Sequence, residues 1–412
     1  MALQSFATVP KPSHVPAERV VDFDTFNPPN VEADFHAAWK KLQDSTAHDV
    51  VWTPRSEGHW IAVRGKPMTD VFNNPDIFSS RIFLMPRSIG EHHKMLPTSL
   101  DPPEHGKFRA IINPAFTSKR LQGLEDQIRR IAVDLIELVR EIGACNFTTA
   151  FAEQFPVRVF LAMVDLPVSD APRLKYLSDQ LIRPGGSMTY AEVMKAFDDY
   201  MAPHIRTRRN RPREDFLSDM VNAKVDGREL TDDERMNLTT QVMIAGLDTD
   251  VNFLGFLMTH LARNPRDRHT LVKSPDLLPD AVDEFMRRFG LVSICRLITR
   301  DVEFHGLQLK KDELILLPSM LHGLDEREYT NPMAVDFHRQ GRRHSSFGQG
   351  PHHCVGRHLA RMELRITIRE WLSRIPDFEI PPELEPECIG GLVGCIRALH
   401  LRWDPAQTHA AP

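Results

Sequence analysis

The sequence predicts one mainly α-helical domain with minor β-structure, on three observations. From Pro114 to about Ala262, apolar residues recur at three- and four-residue steps, broken only by stops rich in Pro or Gly such as PGGS and NRPRED. Alternating stretches suited to strands are few and short, and they fall near residues 50–63 and 296–318. No repeat, low-complexity tract or linker divides the 412 residues, of which 42% are hydrophobic and 26% charged, a balance that suits a soluble chain with a large core.

The elements follow in order. Residues 1–20 are rich in proline and read as an extended N-terminal arm without the apolar centre of a signal peptide. Val50 to Trp52 and His59 to Val63 alternate around the polar turn TPRSEG, which predicts a hairpin. Leu124 to Ile142 has the helical period. Asn237 to Ala262 is apolar nearly all round and predicts a continuous buried helix, roughly 39 Å long at the standard rise per residue. Asp248 and Asp250 in its middle argue against a membrane span. Buried acids are costly unless satisfied or used, so AGLDTD marks a candidate site. Strands return over Arg296 to Pro318, turning at glycine and at KKDE, and a last helix runs from about Arg357 to Ile375 before Pro376 stops it.

Net charge is −5, from 51 basic and 56 acidic residues that are interleaved rather than blocked, so nothing selects a nucleic-acid partner. Five widely spaced cysteines, never arranged as CxxC, argue against a disulfide framework and a structural zinc site and suit the reducing cytoplasm. No membrane anchor is expected.

The most informative stretch is SSFGQGPHHCVGRHLA, residues 345–360. His352, His353 and Cys354 are too close together to be three ligands of one tetrahedral zinc ion. A nucleophilic cysteine would need a base and an orienting partner, neither of which the sequence suggests. Gly348, Gly350 and Gly356 allow a tight loop whose backbone can approach a flat ligand, and the helix that follows points its N-terminal N–H groups toward the sulfur, favouring the thiolate. That chemistry fits a thiolate ligand to iron.

The pattern Phe347-Gly348-x-Gly350-x-His352-x-Cys354-x-Gly356 resembles the haem-binding signature of the cytochrome P-450 family at every defining position. Three further elements occur in that family's order: Ala245-Gly246-Leu247-Asp248-Thr249 on the apolar helix, the pair Glu284 and Arg287, and Arg296. Without that order and spacing, Glu284 and Arg287 would be an ordinary helix-surface pair. Runs such as GHWIA, PTSLDPPE, RPGGSMT and GLDTDVNFLGF extend the likeness over nearly the whole chain and bring it nearest to the bacterial camphor-hydroxylating subfamily.

The resemblance implies a triangular helical fold with small β-sheets, haem b as cofactor and monooxygenase activity. It makes Cys354 the iron ligand and places Phe347 and Gly356 beside the haem. It assigns Arg109, Arg296 and His352 to the propionates, with His105 as a neutral propionate contact, while Ile294 replaces an acid at that edge. Asp248 and Thr249 match an acid–alcohol pair that serves proton delivery, with Lys175, Asp179 and Arg183 gating the acid. Asp250 is apolar in that subfamily, and neither it nor His353 receives a role.

The implied substrate pocket contains Leu84, His93, Met95, Thr98, Ile182, Gln241, Ile244, Val292, Ile294, Leu392 and Val393. His93 takes the place of a tyrosine that donates to the substrate carbonyl, and its charge is expected to vary near neutral pH. The pocket is expected to be apolar and terpenoid-sized, open to a camphor-like bicyclic monoterpenoid, 1,8-cineole or a norisoprenoid. The chain has no flavin or nicotinamide fingerprint, so electrons are expected from outside it, and the resemblance implies a two-iron two-sulfur ferredoxin and its reductase as their source. Lys107, Arg109, Arg342, Arg343, Arg357 and Arg361 would present positive charge to it, whereas Thr69, Asp76 and Gly106 stand where that subfamily has basic residues. A peroxide-driven peroxygenase and a non-catalytic haem sensor or carrier are the alternatives.

Overall fold

The computed structural model describes residues 6–182 and 187–409. Helices dominate, and the expected hairpin forms β1 (Val50–Thr53) and β2 (His59–Ala62). With β3 (Phe78–Ser79), β4 (Ser293–Ile298) and β5 (Leu314–Pro318) they make a sheet of order β1-β2-β5-β4-β3. The β2–β5 pair is parallel and the other neighbours are antiparallel. The N-terminal arm lies along this sheet. Val20 bridges to Trp52, the Val21 N–H donates to the Trp52 carbonyl at 2.8 Å, and a 3-10 turn interrupts the arm at Ala17–Arg19.

The helices that position the site are α1 (Glu104–Ile112), α2 (Glu125–Arg140), α3 (Ala171–Ile182), α4 (Tyr190–Asn210), α5 (Asp232–Ala245), α6 (Thr249–Arg263), α7 (Leu278–Arg288) and α8 (Arg357–Arg374). Threonine begins α4 and α5 in the same way: the side chains of Thr189 and Thr231 accept from the N–H three residues on, and Glu192 and Glu234 reach back to the cap. Buried apolar side chains form a contiguous core cluster reaching from Val15 to Trp403.

The continuous helix expected over residues 237–262 is instead two helices, α5 and α6, with a break at Gly246 to Asp248. There the Gly246 and Leu247 N–H groups bond three residues back, at 3.1 and 3.3 Å, and Asp248 leaves helical geometry at φ −130°, ψ −40°. Packing and a side chain hold the break. A Cβ on Gly246 would come within 2.6 Å of the Phe160 ring, and the Asn252 side chain donates to the Asp248 carbonyl at 2.8 Å. The span Asp232–Arg263 is long and apolar enough to cross a membrane, but 72% of its most apolar window is buried inside the protein. That is the burial of a core helix.

Candidate functional site: a thiolate loop facing a broken helix

The Cys354 loop is shaped by two glycines in the left-handed region, Gly348 at φ +63° and Gly350 at φ +65°. At Gly350 a Cβ would also come within 2.4 Å of the Phe72 carbonyl. The Cys354 N–H donates to the Phe347 carbonyl at 2.9 Å, which closes the loop, and α8 begins three residues later. The Gly356 N–H draws the Cys354 thiol downward as expected of a helix start, but burial outweighs it and raises the pKa overall. Coordination to a metal would deprotonate such a thiol. The Phe347 ring lies under the Arg361 guanidinium, 4.7 Å away. His353 turns its ring outward while its carbonyl accepts from Arg109 Nη2.

Above the loop, donors gather without a carboxylate partner among the described residues. The rings of His105 (α1) and His352 lie 4.1 Å apart, and the Nε2 of each is buried with no hydrogen-bond partner. Burial pushes His105 down to about 4 and His352 to about 2, assisted by Arg109 and Arg296. Arg296 is 4% exposed, and among the described residues no carboxylate pairs with it. Its pKa falls to about 10 because burial disfavours the guanidinium. A buried cluster of this kind calls for anions, and the two propionates of a haem b would fit that need. Ala245, at the end of α5, is exposed between the half-buried Ile244 and Gly246. The cysteine loop and the donor cluster together fit haem b.

The acid and alcohol sit at the break in the helix. Asp248 is 1% exposed; its Oδ1 accepts from Lys175 Nζ of α3 at 3.3 Å and its Oδ2 from Asn252 Nδ2 at 2.7 Å. Lys175 also pairs with Asp179 at 2.5 Å. Arg183 lies outside the described residues, as does the side chain of Ile182. Thr249 opens α6 and is half-buried.

Strand alternation builds one wall: Val292, Ile294 and Arg296 share a face leading into and along β4, opposite Ser293 and Cys295. Val292 bridges to Val393, and the Ser293 N–H donates to the Leu392 carbonyl at 2.7 Å, which brings both aliphatic residues of that turn to the wall. Met95 is buried, while Leu84, Thr98 and Ile244 keep partial exposure. Gln241 of α5 has a buried Oε1 with no partner.

His93 departs from expectation. It is 3% exposed, and burial holds its pKa at about 4, so the ring is neutral at physiological pH and its charge does not vary there. Its Nδ1 is hydrogen-bonded to the Tyr190 hydroxyl at the start of α4. The sequence reading missed Tyr190, which lies 97 residues away and belongs to no motif.

The Glu284–Arg287 pair is no surface pair. Both side chains are fully buried, Arg287 Nε and Nη2 meeting the carboxylate at 2.9 and 2.8 Å. Arg287 also donates to the carbonyls of Gly323, Pro332 and Ala334 at 2.5, 2.7 and 2.8 Å. The expected cationic face is partly neutralised: Lys107 pairs with Glu104 and Asp226, Arg342 with Asp280, and Arg361 with Asp283. Arg343, Arg357 and His353 line concave surfaces on either side of the Cys354 loop, of about 730 and 480 Å³.

A helical fold with a buried cysteine loop, a cluster of unanswered donors and a polar break in the facing helix defines a haem-thiolate protein. The cytochrome P450 family profile matches residues 172–389. The probable cytochrome P450 127A1 of Sinorhizobium fredii is 35% identical, with 96% of this chain and 97% of that protein aligned. A steroid C26-monooxygenase of Mycolicibacterium smegmatis is 31% identical over 81% of this chain and 84% of its own. The crystal structure of CYP101J2 is 41% identical, with a TM-score of 0.89 over 96% of this chain and all of that one. The structure of CYP101C1 is 40% identical, with the same TM-score and coverage. The chain belongs to the cytochrome P450 family, whose members bind haem b, and it is a monooxygenase of that family.

Proposed function

We propose that this P450, acting as one catalytic domain in the bacterial cytoplasm, hydroxylates a C–H bond of a small terpenoid, with electrons from a two-iron two-sulfur ferredoxin and its reductase. The observation that carries the reading is the aliphatic wall of Val292, Ile294, Leu392 and Val393, which the Val292–Val393 bridge and the Ser293–Leu392 hydrogen bond hold together. Bound haem supplies dioxygen activation. Cys354 would hold its iron, while His105, Arg109, Arg296 and His352 would take its propionates. Thr249 would orient a water or proton donor, and Asp248, held by Lys175 and Asn252, would relay protons to it. The CYP101 names of two solved relatives support a terpenoid substrate through the subfamily resemblance. Paired carboxylates at Lys107, Arg342 and Arg361 leave Arg343 and Arg357 as the positive charge most open to a ferredoxin.

Camphor, 1,8-cineole and an ionone, titrated against the haem spin state and then turned over with NADH, ferredoxin and reductase, test the reading. A spin shift and hydroxylated product are expected from at least one. No product from any terpenoid would refute it.

The polar anchor has its own test. Tyr190→Phe removes one hydrogen bond to His93, worth about 0.5–1.5 kcal/mol, and is expected to weaken binding of a ketone substrate a few-fold. Spin-state titration reads the change; a hydrocarbon of the same size is expected to bind both forms equally.

A further inference from the structure

The first turn of the Cys354 loop is tied from behind by a row of polar side chains. Gln349 Nε2, between the two left-handed glycines, donates to Thr69 Oγ1 of the helix Gly65–Phe72 at 3.2 Å and to Ser345 Oγ at 3.0 Å. Ser345 Oγ lies 2.7 Å from His322 Nδ1, on the one-turn helix Ser319–Gly323 that follows β5. On the far side of the ring, His322 Nε2 stands 3.4 Å from Glu328 Oε2. Ser345 is 1% exposed, and the other members line the floor of the concave surface of about 730 Å³.

The chemistry of each group gives the row a direction. An amide nitrogen only donates, so Ser345, which accepts from Gln349, has its single proton left for His322. An Nδ1 that accepts leaves the proton of the neutral ring on Nε2, facing Glu328. His322 accordingly draws the Glu328 carboxyl below its usual range, assisted by Arg343. The backbone leaves room for the pair: a Cβ on Gly65 would fall 2.2 Å from Glu328 Oε1 and 2.6 Å from the His322 ring. Serine, histidine and acid in this order also make a hydrolytic triad, but the Ser345 hydroxyl is buried and engaged on both sides, so no substrate reaches it. What the row does reach is the loop. The Ser345 carbonyl accepts from the Gly348 N–H at 2.8 Å, and the Phe347 carbonyl between them accepts from the Cys354 N–H at 2.9 Å.

We propose that Gln349, Ser345, His322 and Glu328 are positioning residues that hold the first turn of the loop and, through the Phe347 carbonyl, hold the Cys354 sulfur against the haem iron. The inference rests on the reading of Cys354 as the iron ligand. Gly348 and Gly350 give the loop its left-handed turns but bring no side chain to pack, so the hydrogen bonds of Ser345 and Gln349 supply the rigidity there. Outer partners of this kind orient a metal ligand and tune what it donates, and a sulfur held less firmly donates less to the iron.

The test reads the iron–sulfur bond in the holoprotein without turnover. Reduced and saturated with carbon monoxide, wild type is expected to show the long-wavelength Soret band of thiolate ligation and to lose it slowly on warming below the unfolding range. S345A is expected to lose the band roughly two- to tenfold faster, the effect of one hydrogen bond, and to have a higher haem reduction potential. S345T keeps the hydroxyl and is expected to behave as wild type. E328Q alters the outer end of the row and is expected to fall between S345A and wild type. Band loss and potential at wild-type values in S345A and E328Q, even with a lower denaturant midpoint, would make the row structural and overturn the proposal. If S345A binds no haem, wild-type values in E328Q alone overturn it. S345T as fast as S345A would overturn it too, by placing the effect in packing. A wild type that never shows the band would sink the Cys354 reading itself, and the proposal with it.

Discussion

Arg287→Ala is expected to cost about 3–5 kcal/mol, the range for removing one partner of a buried ion pair, out of a total that for most domains is about 5–15 kcal/mol. The guanidinium meets Glu284 in two hydrogen bonds and three carbonyls of the chain beyond β5, at Gly323, Pro332 and Ala334. Its loss strands these acceptors in a fully buried place. Arg339, 3.0 Å from Glu284, keeps the acid from being wholly unpaired, which sets the loss below the sum of the separate bonds. The segment from Pro332 to Arg339 leads into the Cys354 loop, so the variant is also expected to purify with less haem. Arg287→Lys keeps the charge but cannot reach five acceptors, and an intermediate loss is expected. Denaturant midpoints and haem-to-protein ratios check both; an Arg287→Ala protein of wild-type stability would show that the pair is dispensable.

That pair shows where sequence reading works and where it stops. Glu284 and Arg287 are three residues apart and the Cys354 signature spans ten positions, so one local conformation decides each and a pattern can capture it. Their burial is decided by chain far away, which is why a pair that reads as a weak surface contact is a fully buried junction. The hairpin, the helix at residues 125–140 and the final helix at 357–374 follow from periodicity alone. The break between α5 and α6 does not, because three residues barely change the hydropathy of a 26-residue window and the cause, the ring of Phe160, is in another helix. The contact of His93 with Tyr190 was unreadable for the same reason: Tyr190 lies 97 residues away and belongs to no motif. The cationic face lost part of its expected charge because Asp226, Asp280 and Asp283 come from other parts of the chain.

Thr249→Ala is expected to leave haem binding and the substrate spin shift intact while diverting most of the electrons from hydroxylated product to hydrogen peroxide. The argument starts from the break: α6 begins at Thr249, so its hydroxyl stands at a helix start whose preceding residue, Asp248, has left helical geometry. No partner for that hydroxyl occurs among the described residues, in contrast to Asp248, which Lys175 and Asn252 hold. A group that orients protons in the transition state contributes roughly 10²–10⁴-fold, and its removal slows the protonation that leads to product without slowing electron delivery. Reduced oxygen that is not carried forward leaves as peroxide, so NADH consumption is expected to continue near the wild-type rate. Thr249→Ser keeps the hydroxyl and is expected to restore most of the coupling, which separates loss of the hydroxyl from loss of the methyl packing. The ratio of product to NADH, with peroxide measured alongside, decides the matter. An unchanged ratio in Thr249→Ala would remove Thr249 from the proton path and leave Asp248 as a group held by Lys175 and Asn252 for structure alone.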